Sequence, residues 1–222
     1  GGTRCSALWL AAPAEADAPV GDRTGEGWFA IIADELHPDH YALMAPMLRT
    51  TRLQAATIPL QPELAEASAG SASIRAFRAC LEELLEQGAW PSVAITGLGP
   101  SLAASLRMPA DSPLGLLGQE ESLWLPALER LFDLYGQRVS RWEIGRAGRP
   151  EVYADASLPA RLAAFRHTLR RFVPGPRLTI AWAAGTPWPA TRQTASGGKP
   201  VQAYDALTLL WPAETPNEQI DA

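Results

Sequence analysis

The sequence predicts an α/β fold of the TIM-barrel-like (β/α) type, incomplete, with six or seven strands. Three observations predict it. Short apolar runs alternate with amphipathic segments of roughly 10–15 residues, the order of β-α-β units around a parallel sheet. Several of those runs are apolar without alternation, as strands covered on both faces are. A glycine-rich phosphate turn after an early strand is missing: Gly97-Leu98-Gly99 runs into Pro100 with no third glycine, which counts against a doubly wound sheet.

The elements follow in order. Residues 5–12 (CSALWLAA) are a short apolar strand, trailed by a loop rich in Pro, Ala, Asp and Gly to Gly27. We read residues 1–27 as an N-terminal strand and loop, and 28–222 as the barrel domain. Residues 28–33 (WFAIIA) are a buried strand ending at Asp34-Glu35. A helix is expected over Asp39 to Leu48, disturbed at Pro46, which lacks a backbone donor. Leu53 to Leu60 is the next strand. Ile74, Phe77, Leu81, Leu84 and Leu85 recur at helical spacing, and Gly88 is placed to end that helix. Ser92 to Leu98 is a strand. Leu128, Leu131, Phe132 and Tyr135 mark another helix, with Pro126 near its first turn and Gly136 as its stop, and a strand begins at Val139. Leu158, Leu162, Phe165, Leu169 and Phe172 trace a further helix, with Arg161, Arg166, Arg170 and Arg171 on its solvated side. Arg177 to Ala184 and Tyr204 to Trp211 are the last strands.

The 222 residues, 47% hydrophobic and 19% charged, suffice to bury a substantial core. A net charge of −5 and a pI near 5.3 exclude a basic nucleic-acid groove. Lys199 is the single lysine among 19 basic residues. Cys5 and Cys80 have no metal-like spacing and read as two unpaired buried thiols, with a disulfide in an oxidising compartment as the alternative; His37, His40 and His167 form no metal set. No metal and no cofactor is expected. No run approaches the ~18 apolar residues of a membrane span. The leading Gly1-Gly2, without an initiator methionine, reads as a segment of something longer.

One stretch carries a resemblance. Tyr135 to Gly148, YGQRVSRWEIGRAG, resembles the fourth-strand signature of TIM-barrel glycoside hydrolases of the xylosidase/iduronidase type and their clan A relatives. In that family a YGDRV-like helix end leads into W-E-I-W-N-E-P, whose second Glu is the general acid/base. The likeness extends weakly over residues 28–215. It implies a barrel that binds or processes a polysaccharide or glycan. At the working end the match departs: Gly145 stands for Trp, Arg146 for Asn, Ala147 for the acid/base Glu and Gly148 for Pro. Alanine transfers no proton, and a retaining glycosidase needs two carboxyl groups about 5–5.5 Å apart. A non-catalytic module is therefore at least as well supported as a working hydrolase. A structural or protein-interaction barrel of a larger bacterial protein is the alternative.

Other acids are weighed against this loss. Glu143 shares strand parity with position 147 but lies ~13 Å deeper at ~3.3 Å per residue, and an ion pair with Arg141 is its plainer role. Glu151 is in the following loop. Asp34 and Glu35 follow the first barrel strand, at the end where barrel active sites gather; helix capping is their plainer role, and Glu214 is a weaker case. Trp182, Trp188 and Trp211 fall at or past the ends of the last strands, and their flat faces suit a sugar ring, as they also suit ordinary packing.

Overall fold

The computed structural model describes residues 6–7, 30–32, 40–60, 72–110, 112–145, 156–183, 192–194, 200–202 and 205–210. The strands are β1 (Ser6–Ala7), β2 (Ala30–Ile32), β3 (Ala55–Leu60), β4 (Trp90–Ile95), β5 (Arg141–Ile144), β6 (Arg177–Ala183), β7 (Arg192–Thr194), β8 (Pro200–Gln202) and β9 (Ala206–Leu210). The helices are α1 (Tyr41–Thr51), α2 (Ala72–Glu86), α3 (Pro100–Leu106), α4 (Glu121–Tyr135) and α5 (Leu158–Leu169), with a 3-10 turn at Pro113–Gly118.

One sheet runs β1-β2-β3-β4-β5-β6-β9. From β2 onward every pairing is parallel, and strands lie side by side in the order of the chain. β1 joins the edge antiparallel to β2, and β7 pairs with β8 as a separate antiparallel hairpin. The α/β class and the parallel sheet are as the sequence predicts. Among the described residues the sheet is open, with β1 and β9 as its edges.

The helices form a single row in chain order. Tyr41 of α1 meets Phe77 of α2 at 5.9 Å, Phe77 meets Tyr135 of α4 at 5.3 Å, and Phe132 of α4 meets Phe165 of α5 at 6.4 Å. Register shows which strand face they cover. Val93 pairs with Trp142 and Trp142 with Leu178. Trp142 packs edge-on against Phe132 at 5.0 Å, and its indole N–H donates to the Val139 carbonyl at 2.9 Å. The continuous core holds Ala56, Ile58, Leu60, Val93, Ile95, Trp142, Ile144, Leu178 and Ile180 from this face, and none of the alternate residues between them. Both faces of β3 are nevertheless buried, as the unbroken apolar runs require.

Local signals explain the helix ends. Gly88, with φ 71°, closes α2: its N–H bonds the Leu85 carbonyl and the Ala89 N–H reaches back to Leu84, so the last carbonyls are satisfied. Gly136, at the end of α4, is required for another reason. Its φ is −62°, but a Cβ there would lie 3.0 Å from both the Phe172 carbonyl and the Val173 side chain. Pro46 and Pro126, in contrast, lie inside α1 and α4 without ending them. Each proline, and the residue four before it (Ala42, Ser122), is exposed, so water takes the carbonyl that loses its donor. α1 accordingly runs to Thr51 rather than Leu48. α3, the 3-10 turn and the β7–β8 hairpin carry no apolar periodicity and were not expected.

The arginines in and just after α5 divide. Arg170 and Arg171 are exposed as expected, but the Arg166 side chain is only 12% exposed and pairs with Asp205 at 2.7 Å. The other Asp205 oxygen accepts the Leu178 N–H at 2.7 Å, and the Asp205 N–H donates to the Leu178 carbonyl. Asp205 thus fixes the start of β9 to both β6 and α5. Asp205→Ala, which takes the carboxylate from a largely buried guanidinium and from the Leu178 N–H, is expected to cost about 2–3 kcal/mol. Urea unfolding measures it; an unchanged midpoint would show that β9 docks without this link.

Candidate functional site

The sheet face turned away from the helices is where the chemistry gathers. One row across it reads Thr57, Ser92, Arg141, Arg177; the next, toward the C-terminal ends of the strands, reads Pro59, Ala94, Glu143, Thr179. Thr57, Ser92, Glu143 and Thr179 are all buried. The same sequence thus builds an apolar helix side and a small, polar reverse side. In a closed barrel the reverse side would be the interior.

Among the described residues of these rows, Glu143 is the acid. It is 3% exposed and stands in register between Ala94 and Thr179. A buried carboxylate is tolerable only when other groups satisfy it. Arg141, the partner expected from the sequence, stands two residues away on the same face, and its guanidinium also lies 5.2 Å from the centre of the Trp90 ring. Burial, and then the charge of Arg177, hold the Arg141 pKa below its ordinary value.

The strand end above Glu143 changes course. Gly145 donates its N–H to the Ile95 carbonyl at 3.2 Å, extending the ladder by one bond, and then takes φ 111°. A Cβ at Gly145 would lie 2.9 Å from Leu114 Cδ1 of the 3-10 turn. Leu114 is 3% exposed, so it fills the space into which a side chain at 145 would project. The parity that relates Glu143 to position 147 assumes an extended chain, and it does not carry past a left-handed residue. Ala147 cannot be placed relative to Glu143 by counting.

Of the aromatic candidates, Trp182 is 2% exposed and belongs to the core with Leu178 and Ile180. Trp188, Trp211, Asp34, Glu35, Glu151, Glu214 and Arg146 to Gly148 lie outside the described residues. Tyr135, which precedes the motif strand, accepts a hydrogen bond from Arg78 Nε at 3.0 Å and so ties α4 to α2. That role is structural. Sequence reasoning missed Ser92 and Thr57, since a single hydroxyl within an apolar run gives no signal until register lines it up with others.

Among the described residues no group of His, Cys, Asp or Glu could hold a metal ion, and no helix is long and apolar enough to cross a membrane. Cys80 is buried with its thiol pKa pushed up to about 12, by burial first and by the Glu83 charge second; such a thiol is a weak nucleophile at neutral pH.

No family model matches the chain, and no curated relative matches it. It is similar to solved structures of family 1 enzymes from Thermotoga maritima. A family 1 β-glucosidase shares 16% identity at a TM-score of 0.47, over 72% of this chain and 41% of that one. A family 1 glycoside hydrolase complexed with a cyclophellitol analogue transition state mimic shares 16% at 0.47, over 79% and 43%. A β-glucosidase in complex with glucoimidazole shares 16% at 0.47, over 82% and 44%. The chain spans about two fifths of the length of these structures. Likeness at this level does not bear on what this chain binds.

Proposed function

We propose that residues 28–222 are a glycoside-hydrolase-like barrel domain, following the strand and loop of 1–27, that binds or processes a polysaccharide or glycan at the C-terminal ends of its parallel strands. The observation that carries this reading is the strand order. Six parallel strands placed side by side in the order in which they occur along the chain, with their helices in one row, support an arc of a barrel over a doubly wound sheet, which reverses its order at a switch point. The likeness of Tyr135 to Gly148 to the fourth strand of clan A glycosidases supplies the ligand class.

In this reading Asp34 and Glu35 bind sugar hydroxyls and Trp188 and Trp211 stack on sugar rings, while Trp182, buried in the core, serves the fold. Glu143 and Glu151 are the remaining acids for proton transfer. Ala147 at the acid/base position favours binding over turnover, because Glu143 sits two residues, ~6.6 Å, below the strand end at Gly145. No cofactor is involved.

The test is binding and hydrolysis measured on the full-length protein against a broad panel of neutral and acidic oligosaccharides. Saturable binding with little or no turnover is the expected result. Absence of both across the panel would overturn the carbohydrate reading and leave the structural or protein-interaction barrel in its place.

A further inference from the structure

The reverse face of the sheet holds a polar group that the chain itself does not satisfy. Ser92, within β4, is 9% exposed, and its hydroxyl has no hydrogen-bond partner in the chain. Register places Thr57 of β3 directly beside it, and Thr57 is 4% exposed. Adjacent parallel strands are ~4.8 Å apart, so the two side chains are neighbours on one face. Their hydroxyls do not bond each other, since Ser92 Oγ is unpartnered.

We propose that Ser92 and Thr57 together bind one buried water molecule on the side of the sheet turned away from the helices. A buried hydroxyl left unpaired costs about fivefold to a hundredfold in the folding equilibrium. Immobilising an ordered water costs at most about thirtyfold, and for many waters much less. A water that bonds both groups is the more stable arrangement. A hydroxyl both donates and accepts, so one water can receive a bond from one side chain and give a bond to the other, whichever way each rotates.

The residues next along the two strands suit a small polar guest. Toward the C-terminal ends they are Pro59 and Ala94, and beside Thr57 toward the N-terminal end stands Ala55, all three buried and short. None of them, and neither Thr57 nor Ser92, belongs to the continuous apolar core. A buried water needs a polar site with two or more partners, and this row is where the face supplies them. Arg141, on the other side of Ser92, is engaged with the Trp90 ring and is not required. The water site shares no residue with the proposed glycan surface, so each can fail without the other.

Urea unfolding of Ser92→Ala, Thr57→Val and the double variant of the full chain tests the proposal in solution. Each single change removes one partner of the water and is expected to lower the folding equilibrium constant by about fivefold. The double variant is expected to lose little more than either single one, because the second change finds the shared water already displaced. A Ser92 hydroxyl that binds nothing gives the opposite sign, since deleting an unsatisfied buried group raises stability. A crystal structure of the full chain reads the site directly, with an ordered water expected within about 3.2 Å of both Ser92 Oγ and Thr57 Oγ1. A Ser92→Ala chain as stable as the parent or more so, strictly additive single effects, or well-defined density without that water would overturn the proposal.

Discussion

Trp142→Ala is expected to lower the unfolding free energy by about 3–5 kcal/mol, the range for deleting a buried aromatic ring. The indole is 1% exposed, meets Phe132 edge-on and sits in register between Val93 and Leu178. Its removal opens a cavity where β4, β5, β6 and α4 meet, and it also takes away the donor to the buried Val139 carbonyl. Trp142→Phe separates the two effects, since it keeps much of the packing and loses only the N–H; about 1–2 kcal/mol is expected for it. Urea unfolding reads both. A cost below about 0.5 kcal/mol for the alanine variant, the scale of a surface change, would remove Trp142 from the centre of the core.

Writing the family residue back at position 145 is the second large effect. Gly145→Trp, alone or with Arg146→Asn, Ala147→Glu and Gly148→Pro, is expected to destabilise the chain by about 2–6 kcal/mol and to produce no glycosidase activity. Two causes add. A β-carbon at φ 111° is strained by about 1–3 kcal/mol, and the side chain meets Leu114, 2.9 Å from where its Cβ would be, an overpacking cost of about 1–3 kcal/mol. The steric part can be isolated with Gly145→Ala and Leu114→Ala, singly and together. The pair is expected to be less destabilising than the sum of the singles by about 1 kcal/mol, because each change relieves the other. Strict additivity would show that Leu114 does not hold that space. Measurable hydrolysis by the fourfold variant would show that the loop after β5 still has the catalytic geometry.

Periodicity and punctuation made much of the fold legible. The stripes of α2, α4 and α5 are regular enough to name their buried residues, and Gly88 has the one conformation that a glycine after a helix announces. Prolines were less informative, because Pro46 and Pro126 break a helix only where the stranded carbonyl is buried, and here it is exposed. The site was harder to read for a physical reason. Burial on both faces hides strand alternation in the sequence, so the division between an apolar side (Val93, Trp142, Leu178) and a polar side (Ser92, Glu143, Thr179) emerges only from register. The contact between Gly145 and Leu114 joins positions 31 residues apart in the numbering, which no local pattern announces. Arg166 likewise reads as a solvated helix residue until Asp205, from the far side of β6, comes to meet it.

The chain-ordered sheet also decides how a local injury spreads. Among the described residues each strand of the main sheet pairs only with its neighbours in the order β1-β2-β3-β4-β5-β6-β9, and the helix row repeats that adjacency. Such a molecule behaves as a linear array of coupled units, in the manner of stacked repeats. Damage at the rim, as at Asp205, peels the last unit and leaves the remainder cooperative. Damage at Trp142 severs the array in its middle and leaves two arcs, each with a newly bared strand edge open to foreign pairing.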